Sequence, residues 1–374
     1  MAGLGENWVD SIESIWREVS PLLTNLKTLD FKQLSARDYL TLIGLGFTVV
    51  KGIFMGWQVT SAFKQYGVAK LVKPNLVKKF GTWAVVTAPE VGIGEAYCTE
   101  LASGGLNIFM IPASHEQCRA IGTYLEEKYK VETAVAKIDF SNCRNIYEQV
   151  EEQVGDREVG ILVNNLDITG THDEDFTDLD QQKVNQILHY TLVRTTLMTH
   201  LFLPGMVERG KGAVVTLVPT TAGMSEGKRA VFGACKSFMD YFASALNDEY
   251  KEQGITIQTL VPLLVAEKGS HMPSAMSLLV PSASSYAKEA VSTLGWSERS
   301  NGCFRHQIQV WLTSFMPSWL IQLIASGIST FIQKQAGEKL GIEINEDTAK
   351  SFTNSIMDSK TPTNPGSLLD YLIY

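Results

Sequence analysis

The chain has 374 residues, 45% hydrophobic and 19% charged, which supplies ample apolar surface for a core and excludes global disorder. Forty acidic residues against 32 Lys and Arg leave a formal charge of −8, and no basic stripe compensates, so nucleic acid is not an expected partner. Five cysteines, Cys98, Cys118, Cys143, Cys235 and Cys303, lie far apart with no Cys-x-x-Cys pair, which argues against a disulfide framework and a structural zinc site.

The first residues, MAGLGENWVDSIESIW, lack a basic stretch followed by an apolar one, so no cleaved secretory signal is expected. Trp8, Ile12, Ile15, Trp16 and Val19 recur at helical spacing and suggest an amphipathic helix or two within residues 1–38. Tyr39–Phe63 is then a 25-residue apolar run with one interior charge, Lys51. Its length suffices for a bilayer core of about 30 Å, while a central lysine costs about 2.5–3.5 kcal/mol on insertion. A tilted or partly spanning anchor is expected; the alternative is a buried helical hairpin packed on the main domain. Residues 1–79 are read as a membrane-associating segment.

From Phe80 the pattern becomes strand–helix alternation. Strands are predicted at 83–87, 106–111, 133–138, 159–163, 212–218 and 256–261. Helices are predicted at 93–104, 116–130, 143–154, 182–202 and 230–253. Continuous apolar strands separated by helices imply a parallel sheet covered on both faces, a doubly wound α/β domain over residues 80–300. From Gln307 to Gln333 no residue is charged and Pro317 interrupts the run, so residues 301–336 are read as two short amphipathic helices at a membrane interface. Core packing or a partner groove is the alternative. Residues 337–374 form a polar tail.

The loop after the first strand reads Thr87-Ala88-Pro89-Glu90-Val91-Gly92-Ile93-Gly94 and runs directly into a helix. In a dinucleotide fold such glycines permit a tight turn and close approach of backbone N–H groups to a pyrophosphate. This loop is similar to the Thr-Gly-x-x-x-Gly-Ile-Gly fingerprint of short-chain dehydrogenases/reductases. Val163-Asn164-Asn165 resembles the same family's Asn-Asn-Ala-Gly motif, and Leu203-Pro204-Gly205-Met206-Val207-Glu208-Arg209 with Val261-Pro262 resembles its hydroxysteroid dehydrogenase branch. The resemblance runs from about Phe63 to Leu320.

The resemblance implies a Rossmann-like fold and an NADP(H) site, with Gly92, Ile93, Gly94, Asp139, Asn164 and Lys236 as cofactor contacts. Departures handicap that site. Ala88 replaces the first glycine, and its Cβ penalises a positive φ. Glu90 brings a carboxylate towards the pyrophosphate. Ala113 stands where NADP-dependent members carry an arginine, and Asp167 replaces the last glycine of the Asn-Asn motif.

Carbonyl reduction needs a proton donor, which the family supplies as a Tyr with a Lys four residues on, aided by a Ser and an Asn. Here the matching positions are Phe232, Lys236, Pro219 and Thr191. Phe232 has no hydroxyl, Pro219 no polar side-chain atom, and Thr191 takes the place of the water-holding Asn; none of the four is a competent acid. Lys236 is read either as a retained ribose contact or as a structural salt-bridge partner, and the thiols as small buried hydrophobes. The expectation is a catalytically inactive, membrane-associated protein that binds a hydrophobic lipid or steroid ligand or a protein partner. The alternative is residual NADPH-dependent reduction of steroid or long-chain 3-oxoacyl carbonyls. Family resemblance further implies a homodimer, or a heterodimer with a related dehydrogenase, on a membrane surface of the endoplasmic reticulum or mitochondrion.

Overall fold

The computed structural model describes residues 35–72, 75–90, 92–112, 115–137, 146–165, 175–218, 230–266 and 278–314, with 316 and 320. The helices expected before residue 34, the tail, and the readings of Ala113, Asp139, Cys143, Asp167 and Pro219 lie outside the described residues.

The chain divides into two units, at Ser61 and Ala62. In the first, Ser35 and Asp38 cap helix α1, Ala36–Ala62: the Ser35 N–H and hydroxyl both donate to Asp38 Oδ2, at 2.9 and 2.7 Å. The helix continues as a π-helical turn, Phe63–Val68, and a last turn, Ala69–Leu71. Its 36 residues are long and apolar enough to cross a membrane by length and composition. Leu40, Phe47, Val50 and Ile53 are exposed along it, and it runs as one helix where the alternative expected a hairpin.

The second unit carries a seven-stranded parallel sheet, order β3-β2-β1-β4-β5-β6-β7. In chain order its elements are α2 (Leu76–Phe80), β1 (Trp83–Thr87), α3 (Gly94–Ser103), β2 (Asn107–Ile111), α4 (His115–Tyr129), β3 (Thr133–Val135), α5 (Ile146–Val154) and β4 (Val159–Asn164). There follow α6 (Gln181–Leu188), a π-helical turn (His189–Val193), α7 (Arg194–Glu208), β5 (Gly212–Leu217), α8 (Ala230–Tyr250), β6 (Ile255–Leu260), α9 (Ala283–Ser292), β7 (Arg299–Ser300) and α10 (Phe304–Ser314).

Strand side chains alternate between two cores. Ala84, Val86, Ile108 and Met110 face one core together with Leu101, Leu125 and Tyr286, on the side of α3, α4 and α9. Trp83, Val85, Phe109 and Ile111 face the other with Val150, Met198, Phe202 and Ile257, on the side of α5, α7 and α8. Both faces being covered is why the strands read as unbroken apolar runs.

Three expectations are corrected. The helix expected as one piece over 182–202 is broken by the π turn and runs on to Glu208, through Pro204. The third strand stops at Val135 rather than 138. A seventh strand and the helix α9, neither expected, complete the sheet's far edge and one helical layer.

His306 locks α10 to the chain leaving β6. Its Nε2 lies 3.1 Å from the Leu264 carbonyl, which requires a proton there, and its Nδ1 accepts from the Leu263 N–H at 3.3 Å. Burial depresses the folded-state pKa, outweighing the Leu264 carbonyl and the Asn301 carbonyl 3.3 Å from Nδ1, which favour the protonated ring. The unfolded His, near pH 6.5, therefore takes up its proton first, and stability is lost as pH falls below about 6.5 until the folded pKa is passed. The thermal midpoint is expected to drop between pH 7.5 and 5.5, and to drop less in His306→Gln.

Candidate functional site

The strand order reverses between β1 and β4, and the loop after β1 meets the end of β4 there. Thr87 Oγ1 donates to the Asn165 carbonyl at 3.0 Å, Asn165 Nδ2 donates to the Ala88 carbonyl at 2.8 Å, and the Ala88 N–H donates to Ile111 at 2.8 Å. These bonds pin Ala88 in a left-handed conformation, φ +45°, as Gly92 is at φ +60°. Gly94 opens α3 where an added Cβ would lie 2.7 Å from the Pro89 carbonyl oxygen and 2.8 Å from Asn165 Nδ2. The backbone thus keeps a tight glycine-type turn although a Cβ now sits in it.

Ala88→Gly relieves a left-handed penalty of about 1–2 kcal/mol, but removes a buried methyl worth about 0.8 and adds about 0.4–1 of unfolded-chain freedom. Denaturant unfolding is expected to place it within about 1 kcal/mol of the wild type. Ala88→Val, β-branched at a fully buried positive-φ site, is expected to lose about 2 kcal/mol or more.

Ile93 precedes α3 with no side-chain cap, and Glu95 stands in the helix's first turn. Glu90 Oε2 accepts from the Cys118 thiol of α4 at 3.2 Å, so that carboxylate reaches back to α4 as well as facing the cleft. Burial and the Glu90 charge push the Cys118 thiol well up, and burial does the same at Cys98. Gly92, Glu90 and Glu95 line a cavity of about 880 Å³ with α4 and the start of α9. Among the described residues its lining holds these two carboxylates and no Lys or Arg.

Asn164 is buried at the end of β4; its Nδ2 donates to Thr199 Oγ1 at 3.0 Å, and Thr199 donates on to the Thr195 carbonyl at 2.8 Å. Its Oδ1 is buried with no hydrogen bond among the described residues.

Phe232 and Lys236 lie four residues apart on α8 and so share a face. They are 3% and 2% exposed, and the Lys236 ammonium sits 4.3 Å from the centre of the Phe232 ring. A cation at that distance is attracted to the ring face, by about 2 kcal/mol when desolvated. Thr191 occupies the π turn, where its hydroxyl donates to the Ile187 carbonyl. On α8, burial pushes the Cys235 thiol up. Val218, Leu192 and Met239 close the space beside it with apolar surface. Thr191, Phe232 and Lys236 thus all sit in the α8 region of the fold, while Gly92, Ile93, Gly94 and Asn164 sit at the β1–β4 switch point. Position 232 has no proton to give.

A family model described as short chain dehydrogenase matches residues 82–272. This chain belongs to the short-chain dehydrogenase family. The inactive hydroxysteroid dehydrogenase-like protein 1 of Homo sapiens is 38% identical over 303 residues, 80% of this chain and 92% of the relative. Hydroxysteroid dehydrogenase-like protein 1 of Gallus gallus is 36% identical over the same shares. The very-long-chain 3-oxoacyl-CoA reductase of Homo sapiens is 31% identical over 291 residues, 77% of this chain and 91% of that one. A solved 7beta-hydroxysteroid dehydrogenase structure superposes with a TM-score of 0.57 at 21% identity, covering 65% of this chain and 95% of that one. At that identity it supports the fold alone.

For this short-chain dehydrogenase, two features near the site had no sequence signal. One is the π turn at Thr191, a helical irregularity frequent at functional positions, in a run, His189–Val193, with no helix breaker. The other is Arg194, buried at the start of α7, where a lone charge in a helical stretch reads by default as surface.

Proposed function

We propose that this short-chain dehydrogenase is catalytically inactive, associates with a membrane, and acts by binding a lipid or a protein partner. The observation that carries this reading is the Lys236 ammonium resting on the Phe232 ring, where the family's chemistry needs a hydroxyl. The loss of catalysis is supported by the names of the Homo sapiens and Mus musculus relatives, inactive hydroxysteroid dehydrogenase-like protein 1.

The fit to NADP(H) is poor on this reading. The turn keeps its shape at Gly92 and Gly94, yet Glu90 and Glu95 place two carboxylates where a pyrophosphate would gather, and Glu95 already complements the positive end of α3. The membrane part rests on α1 and on α10, whose Phe304, Ile308 and Leu312 are exposed on one helical face. Tyr66, in the π-helical turn of the second unit, lies 6.1 Å ring to ring from Phe304 of α10. Exposed Val193, Phe238 and Tyr241 on the π turn and α8 suit a second copy or a related dehydrogenase. The proposed membrane is that of the endoplasmic reticulum or the mitochondrion, which fractionation separates.

A second reading, residual NADPH-dependent reduction of steroid or long-chain 3-oxoacyl carbonyls, is favoured by the retained Gly92, Gly94, Asn164 and Lys236 and by the reductase relative. Titrating the full-length, detergent-solubilised protein with NADPH and NADH while following thermal unfolding separates the two. A ligand at 100 times its dissociation constant adds about 2.7 kcal/mol of stability. A flat response to millimolar cofactor is expected; saturable stabilisation by either dinucleotide would return the second reading to first place.

A further inference from the structure

A second cavity, of about 400 Å³, opens between α8 and the far edge of the sheet, where β6 pairs with β7. Ala243 and Asn247 lie four residues apart on α8, Ile257 and Thr259 two apart on β6, and each pair therefore shares a face. All four are buried and form the inner wall. Exposed Ser237 and Ser244 line the mouth with Glu298 and Arg299, at the start of β7.

Asn247 decides what such a cavity can hold. It is 5% exposed, and its Nδ2 is buried with no hydrogen bond among the described residues. Folded chains pair nearly all buried N–H groups with protein, water or ligand, because an orphaned donor forfeits its hydration without return. The nearest charges are matched to each other instead: Arg299 Nη1 lies 3.0 Å from Asp240 Oδ2. Ser237 donates its hydroxyl to the Gly233 carbonyl at 3.2 Å and keeps its lone pairs for accepting. The lining thus offers an amide donor, hydroxyls that accept as well as donate, and two carboxylates, Asp240 and Glu298, against one guanidinium.

We infer that this cavity is a binding site for a neutral polyhydroxylated molecule the size of one sugar ring, an oxygen of the ring accepting from Asn247 and its apolar face against Ala243 and Ile257. A polyol gives and accepts hydrogen bonds in several directions, which a wall of hydroxyls and one amide matches. An anion would meet the excess of carboxylates, and a cation would meet the Asn247 N–H groups. The volume is at the small end of ligand cavities, which suits a single ring and excludes a dinucleotide. The site shares no residue with the loop at Gly92 and Gly94 or with Thr191, Phe232 and Lys236, and does not depend on the loss of catalysis.

The test uses the full-length protein in phosphatidylcholine nanodiscs, free of sugar-headed detergent, and saturation-transfer NMR with empty nanodiscs as the blank. The probes are the methyl glycosides of glucose, galactose and mannose, with tetrahydropyran-2-methanol as the ring without its hydroxyls and glucuronate as the anionic twin. At least one glycoside is expected to saturate at millimolar concentration, with both controls at least tenfold weaker. Asn247→Leu, close in volume and without the donor, is expected to weaken that glycoside at least tenfold with an unchanged circular dichroism spectrum. Saturation by none of the glycosides, equal binding of either control, or full affinity in folded Asn247→Leu overturns the assignment. If Asn247→Leu does not fold, Ser244→Phe, an exposed change that fills the mouth, decides: loss of the glycoside supports the site, and full affinity overturns it.

Discussion

Gly94→Ala is expected to lose about 3 kcal/mol of stability and, for a domain of this size, about 6–12 °C of thermal midpoint. The new Cβ would lie 2.7 Å from the Pro89 carbonyl oxygen and 2.8 Å from the Pro89 Cα, both backbone atoms of the turn. It would also lie 2.8 Å from Asn165 Nδ2, whose bond to the Ala88 carbonyl ties the turn to β4. Relief by a side-chain rotation is open only to Asn165, and it breaks that bond. The effect arises in packing rather than in ligand contact, so it appears in the protein without cofactor. A midpoint within 2 °C of wild type would mean that the β1–α3 turn is looser than its hydrogen bonds imply.

Restoring the acid alone is expected to do little. Phe232→Tyr with Pro219→Ser puts back two family side chains, and the Lys236 ammonium at 4.3 Å from the ring centre would lower the new phenol's pKa as a general acid requires. The Glu90 and Glu95 carboxylates lining the cleft would still repel a dinucleotide's phosphates, so dinucleotide affinity stays low. NADPH-dependent reduction by the double variant is therefore expected to stay within tenfold of the wild type. Adding Ala88→Gly and Glu90→Gln to it is expected to raise reduction at least 100-fold. Steady-state turnover at fixed NADPH measures both steps, and full recovery in the double variant would place the defect at the proton donor alone.

The sheet was largely legible in the sequence because every central strand is buried on both faces; Trp83–Thr87 and Val159–Asn164 are apolar runs that no amphipathic helix would show. β7 escaped because two residues carry no period. α9 carried a usable signal, Ser282 accepting from the Ser285 N–H at 3.3 Å as an N-cap, but its Ser, Lys and Glu content masks the face that Tyr286, Ala287 and Ala290 bury.

At the site, the spacing of Phe232 and Lys236 already placed both on one helical face, and Ala88 already carried the positive-φ penalty that the backbone bears out. Side-chain direction was not legible. Glu90 meets a thiol 28 residues away, and Lys236 turns onto a ring rather than standing only as the ribose or salt-bridge contact its residue type suggests. The burial of Arg194 depends on α5 packing beside α7, a long-range contact with no local trace.

The most direct test of catalytic inactivity is hydride transfer from deuterium-labelled NADPH to a panel of steroid and long-chain 3-oxoacyl carbonyls, read by mass spectrometry of the alcohol products. Loss of the general acid alone removes about 10²–10⁴ of rate. The full-length wild type is expected to give no label above a no-protein control. Labelled product that disappears in Lys236→Ala would contradict that expectation and make the protein a working reductase.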